Sequence, residues 1–236
     1  MTIQLATRDL PASTSSSGCE GVVEASIGID LTLLGAAHAN ASTSVGAVLP
    51  VGYANFSRLV SSACAAMRGG IDFVSLDKTF RSRSDDPRPT EAVKVAAWML
   101  SRSEGGVSVE VPPTVGAINA AVGILSRSSR GRATIAVEPV EGCDLAAIAG
   151  AAAQARSAGI GFAVRTAAED LTPSSIQAIA RFADSVHLLT GDPHRAREAR
   201  FALRSAAAAF DRQLTLLTEI GIIVSGSMPA ARERSP

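Results

Sequence analysis

The side chains able to do chemistry here are three histidines, three cysteines and a set of hydroxyls and carboxylates near the ends of apolar runs. His38 follows the first such run, in GAAHANAST, and is the histidine best placed for general acid–base work. Asp77 closes IDFVSLD (71–77), at the C-terminal end of a strand candidate, where barrel enzymes place catalytic groups. An Asp at such a turn also serves as an Asx-turn residue. Thr172 precedes a helical stretch, where a hydroxyl caps a backbone N–H and the helix dipole favours a phosphate, and Thr90 is likewise an N-cap candidate. Ser174 stands in the first turn after Thr172. His187, inside an apolar strand, reads as a core residue, and His194, at a helix start, as a surface one. Arg127, Arg130 and Arg132 cluster in SRSSRGR, which suits either an anion clamp or the negative C-terminal end of a helix.

Several chemistries lack their sequence requirements. Cys19, Cys64 and Cys143 are widely spaced and form no CxxC, so they read as free thiols in a reducing compartment. No two histidines share metal-ligand spacing with a carboxylate. GxSxG, GxGxxG and GxxxxGK[ST] are all absent. The 22 basic and 22 acidic side chains cancel, which argues against a nucleic-acid partner. No apolar run reaches membrane-spanning length, and the first residues lack the pattern of a signal peptide. The expected location is therefore cytoplasmic.

The elements that must position these groups follow from periodicity. Apolar residues are 47% of the chain but aromatics only 4%, so the core is built from Ala, Val, Ile and Leu. Strand candidates fall at 26–35, 71–77, 107–111, 133–139, 160–166, 185–190 and 213–226. Helical patterns lie between them, at 53–67, 90–102, 116–128, 144–159, 172–183 and 193–210. Strand–helix alternation of this kind predicts a parallel sheet covered by helices. Without a nucleotide fingerprint, a TIM-type β/α barrel is favoured over a doubly wound sheet. With about seven βα units, that barrel is incomplete or shortened. Residues 1–24 read as a flexible segment, 25–227 as the barrel domain and 228–236 as a flexible tail.

Three stretches in this order carry a family resemblance: GGIDFVSLDKTF (69–80), the run 90–137 containing Leu125 and Ser129-Arg130-Gly131-Arg132, and the run 173–224 with its ARFADSVHLL segment. Together they cover more than half the chain. They resemble the bacterial-luciferase-like flavin-dependent monooxygenases, in the branch acting on nitrilotriacetate and organosulfur compounds. The resemblance implies reduced FMN, or a deazaflavin, at the C-terminal ends of the strands, oxygen chemistry on a small organic substrate, a flavin reductase as electron source and a homo- or heterodimer. Within it, Asp77 matches a carboxylate near the flavin, Thr114 a remaining hydroxyl, and Thr172 with Ser174 the phosphate-binding helix start. Departures accompany these matches: Lys78 replaces a second acid, Asp170 a turn glycine and Ile176 an arginine. A His- and Tyr-bearing insertion is missing between 139 and 160, and no eighth strand follows Ser225. The alternative expectation is thus a cofactor-free relative serving as a dimer partner or regulatory subunit.

Overall fold

The computed structural model describes residues 2–7, 25–31, 56–76 and 90–221. Eight strands close into a barrel in chain order. They are β1 (Thr2–Thr7), β2 (Ala25–Leu31), β3 (Phe73–Leu76), β4 (Gly106–Val111), β5 (Ala133–Val137), β6 (Gly161–Ala167), β7 (Ser185–Leu189) and β8 (Thr215–Gly221). The helices outside it are α1 (Phe56–Arg68), α2 (Thr90–Leu100), α3 (Val115–Leu125), α4 (Leu145–Ser157), α5 (Pro173–Phe182) and α6 (Pro193–Ala208). Strands β2 to β8 are the seven parallel strands the periodicity predicts.

The eighth position is filled from an unexpected direction. Thr2–Thr7 pairs antiparallel with both β2 and β8, with Gln4 opposite Gly28 on one side and Glu219 on the other. The expectation of a flexible segment over 1–24 is therefore corrected at its start, and the shortage of one βα unit does not leave the sheet open. Closure removes the two edges that a seven-stranded sheet would expose. Its first four residues, TIQL, alternate polar and apolar, the period of a strand. The expected tail over 228–236 lies outside the described residues.

Register divides each strand into two sets. Val107, Val109, Ile135, Val137, Phe162, Val164, Val186 and Leu188 are buried against the helix layer. Phe162 meets Phe182 of α5 edge-on, with ring centroids 5.9 Å apart. Alanines on the inner faces of the helices, such as Ala151, Ala152 and Ala155 of α4, let this layer sit close to the strands. The alternate residues form inward rows: Ser75–Ser108–Thr134–Gly161, then Glu110–Ala136–Ala163–Ser185–Thr215, then Arg165–His187–Leu217. Barrel interiors usually carry branched aliphatics in such rows. This one carries hydroxyls, an acid, a guanidinium and an imidazole.

Charges outside the barrel follow the helix dipoles. Asp144 caps the start of α4 and Asp192 that of α6. At the opposite face, Arg132 donates to the carbonyls of Leu100 (2.9 Å), Gly105 (3.2 Å) and Ser103, tying off the end of α2. Arg212 does the same beyond α5, donating to the carbonyls of Arg181 and Ala183 and to Asp184. In both cases the arginine before one strand closes the helix preceding the neighbouring strand. The SRSSRGR cluster thus supplies helix-end chemistry through Arg132.

Candidate active site

The site was expected at the C-terminal ends of the parallel strands. His38 and Asp77 lie outside the described residues. Thr114 follows β4 and is the N-cap of α3, its hydroxyl accepting from the Ala117 N–H at 3.3 Å. Thr172 follows β6 and is the N-cap of α5, as its spacing predicts. Both are exposed. They belong to different βα loops, and no hydrogen bond joins them among the described residues.

The start of α5 is closed upon itself. The Thr172 hydroxyl accepts from the Ser175 N–H, and the Thr172 N–H donates to the Ser175 hydroxyl at 2.9 Å, a complete capping box. The Ser174 hydroxyl lies 3.0 Å from that of Thr172. Pro173 contributes no N–H, and the turn before it carries Glu169 and Asp170. A phosphate placed here would find the Thr172 and Ser175 hydroxyls and the Ser175 N–H already engaged, and two carboxylates in the turn that leads into the helix. This helix start does not fit the phosphate of a flavin. The first turn of α3 differs, having a Thr cap and no acidic residue.

Below the mouth lies a buried polar cluster. Arg165 of β6 donates to Glu110 of β4 at 2.8 Å across the barrel, with side-chain exposures of 9% and 3%. His187 of β7 pairs in register with Arg165 and is 2% exposed. Its burial, and secondarily the Arg165 charge, push its pKa down to about 3, so the imidazole is neutral at physiological pH. Ser75 and Ser108 are also buried. Among the described residues, the Ser75 and Ser108 hydroxyls and His187 Nδ1 have no hydrogen-bond partner.

This arrangement costs stability that aliphatic residues would not. A buried ion pair is at best close to break-even with well-packed apolar side chains of the same volume. Buried titratable groups with a shifted pKa and a specific charged neighbour cluster at functional sites, a pattern that structural ion pairs share. Glu110 and Arg165 were not singled out from the sequence, and His187 was taken for an ordinary core residue. The signal was there in register: Ser108 and Glu110 in VSVEV, Arg165 in FAVRT and His187 in SVHLL occupy alternate positions of otherwise apolar strands.

Other chemistries find less support. No group of His, Cys, Asp and Glu able to hold a metal occurs among the described residues. Cys64 and Cys143 are free thiols. No described helix is long and apolar enough to cross a membrane.

No protein-family model and no curated protein matches the sequence. Solved structures do match the fold. DmoA from Hyphomicrobium sulfonivorans superposes with a TM-score of 0.57 at 12% identity, over 77% of this chain and 56% of that one. The coenzyme F420 dependent tetrahydromethanopterin reductase from Methanopyrus kandleri gives 0.52 at 10% identity, over 80% and 63%. EDTA monooxygenase (EmoA) from Chelativorans sp. BNC1 gives 0.52 at 12% identity, over 76% and 60%. The chain therefore spans between 56% and 63% of the length of these structures. What it shares with them is the TIM-type barrel.

Proposed function

We propose that the chain is a luciferase-like barrel oxidoreductase working with a flavin-type cofactor on a small organic substrate. The observation that carries this reading is the Glu110–Arg165 pair with neutral His187 inside the barrel. It is supported by a fold likeness to an F420-dependent reductase and a monooxygenase. A flavin supplies the redox chemistry when bound, and the protein supplies orientation and exclusion of water. In this chain, Arg165 offers a fixed planar donor whose charge is held by Glu110, suited to a carbonyl or carboxylate oxygen. His187, being neutral, offers one donor and one acceptor nitrogen.

The position implied by the resemblance for the phosphate, at Thr172 and Ser174, does not fit this group. The choice between FMN and a deazaflavin, the use of oxygen, a flavin reductase as electron source and a dimer all belong to this proposal. Titration with oxidised and reduced FMN and with F420, followed by fluorescence, tests it. Saturable binding at micromolar concentration is expected, and no binding to folded protein sinks the reading.

The capping box and the acidic turn at α5 favour a second reading, a cofactor-free barrel acting as a dimer partner or regulatory subunit. Light scattering separates the two when combined with the titration. A dimer that ignores every flavin supports the second reading, whereas a monomer that ignores them contradicts both.

A further inference from the structure

The barrel has a second polar opening, at the end opposite to the expected active site. A cavity of about 300 Å³ enters between the N-terminal starts of β4 to β8. This is at the lower end of the range for small-molecule sites, roughly 300–1,000 Å³. Its walls include Phe73, Ser108, Thr134, Ser185, His187 and Thr215. Small and hydroxyl-bearing residues occupy inward positions here that branched aliphatics would ordinarily fill. The space is thus built into the rows of the barrel.

Two of its walls point to a ligand. Ser108 is 4% exposed and His187 2% exposed, yet the Ser108 hydroxyl and His187 Nδ1 have no partner among the described residues. Buried polar atoms are ordinarily hydrogen-bonded, because an unmade bond forfeits the hydration they had in water. The charged groups at the rim are already engaged. Arg132 serves three backbone carbonyls. Asp184 accepts from the Phe162 N–H at 2.9 Å, from Arg156 at 3.1 Å and from Arg212 at 3.0 Å. No uncompensated charge is therefore offered to an occupant, and Phe73 and Leu217 supply apolar wall.

We propose that this cavity is a binding site for a compact neutral molecule bearing a hydroxyl on an apolar ring, with the hydroxyl seated between His187 Nδ1 and Ser108 Oγ. The cavity shares His187 with the polar cluster of the proposed function but opens at the other end of the barrel, and a phenol titration reads it without any flavin present. A phenol matches its chemistry: an apolar ring for Phe73 and Leu217, and one group that both donates and accepts.

The test is titration of the full-length protein with phenol and with toluene, its near-isostere without the hydroxyl, followed by imidazole and amide NMR. Phenol is expected to saturate at millimolar concentration and to move the signals of His187 and of residues 108, 134, 185 and 215. Toluene is expected to bind about tenfold more weakly, because it leaves both buried polar atoms unpaired. Ser185→Phe, which fills the cavity, should abolish phenol binding while the thermal transition is kept. If that variant does not fold, Thr215→Leu serves the same purpose. His187→Phe should erase the preference for phenol over toluene. Equal binding of the two compounds, or phenol leaving these signals unmoved, would overturn the proposal.

Discussion

Replacing Glu110 and Arg165 singly and together separates a functional cluster from a structural one. The two side chains meet at 2.8 Å, and both are shielded from water, with exposures of 3% and 9%. Glu110→Leu removes the carboxylate 2.8 Å from the guanidinium and leaves beside it an imidazole that cannot take its place. Breaking a buried ion pair by removing one member costs about 3–5 kcal/mol. In a chain of this size each kcal/mol moves the midpoint by about 2–4 °C, so Tm should fall by about 6–20 °C. Arg165→Met breaks the same pair from the other side and should cost a similar amount. The double variant Glu110→Leu/Arg165→Met removes both charges and fills the space with apolar atoms, so its stability should return to within about 1–2 kcal/mol of the parent. Urea unfolding of the four proteins yields the coupling energy directly, expected at about 3 kcal/mol or more. Additive losses would refute the argument, because they would mean that each side chain stabilises the barrel on its own.

Four further outcomes follow from the same geometry. The His187 pKa falls from 6.5 unfolded to about 3 folded, so its contribution is complete above pH 6.5 and is lost as pH drops toward 3. Between those values the unfolded chain binds the extra proton, and stability should decline by up to about 1.4 kcal/mol per pH unit; His187→Phe should flatten that slope in pH-dependent urea melts. A Cβ at Gly28 would lie 2.2 Å from the Phe73 ring, so Gly28→Ala should cost about 1–3 kcal/mol, relieved by Phe73→Leu in the double variant, read by thermal melts. Thr172→Ala should cost about 1 kcal/mol through its lost cap yet leave flavin affinity unchanged; a selective loss of affinity would put a phosphate at α5 after all. Asp184→Ala should cost about 1–3 kcal/mol in urea unfolding, since it leaves the Phe162 N–H without its acceptor and removes the carboxylate shared by Arg156 and Arg212.

The parallel part of the barrel was legible because each strand has a buried outer face of Val, Ile, Leu or Phe and each helix a stripe of Ala, Ile and Leu. The helix start at Thr172 was equally readable, since capping is a local interaction. β1 was missed because TIQLAT precedes a Ser-rich stretch, and its partners, β2 and β8, are distant in sequence. An antiparallel closing strand also breaks the βα repeat on which the reading rested. The Glu110–Arg165–His187 cluster was missed for a related reason. Its members sit on three strands, 55 residues separate the ion pair, and only the pairing of β4 to β7 in one curved sheet brings them together. A single polar residue in an apolar strand carries no sign of what it will face. Conversely, Thr172 was correctly placed as a cap, but the bond from its own N–H to the Ser175 hydroxyl, which consumes the helix start, depends on side-chain geometry that residue type does not specify.

In the proposed function the polar interior of the barrel serves a flavin-type cofactor and its substrate. The most direct measurement is flavin titration, with FMN and with F420, of the parent and of the Glu110→Leu/Arg165→Met variant, both verified as folded by circular dichroism. Saturable micromolar binding of one of the two by the parent, lost or weakened at least about tenfold (1.4 kcal/mol) in the variant, is the expected result. A folded parent that binds neither compound, or a variant that binds as tightly as the parent, would contradict it.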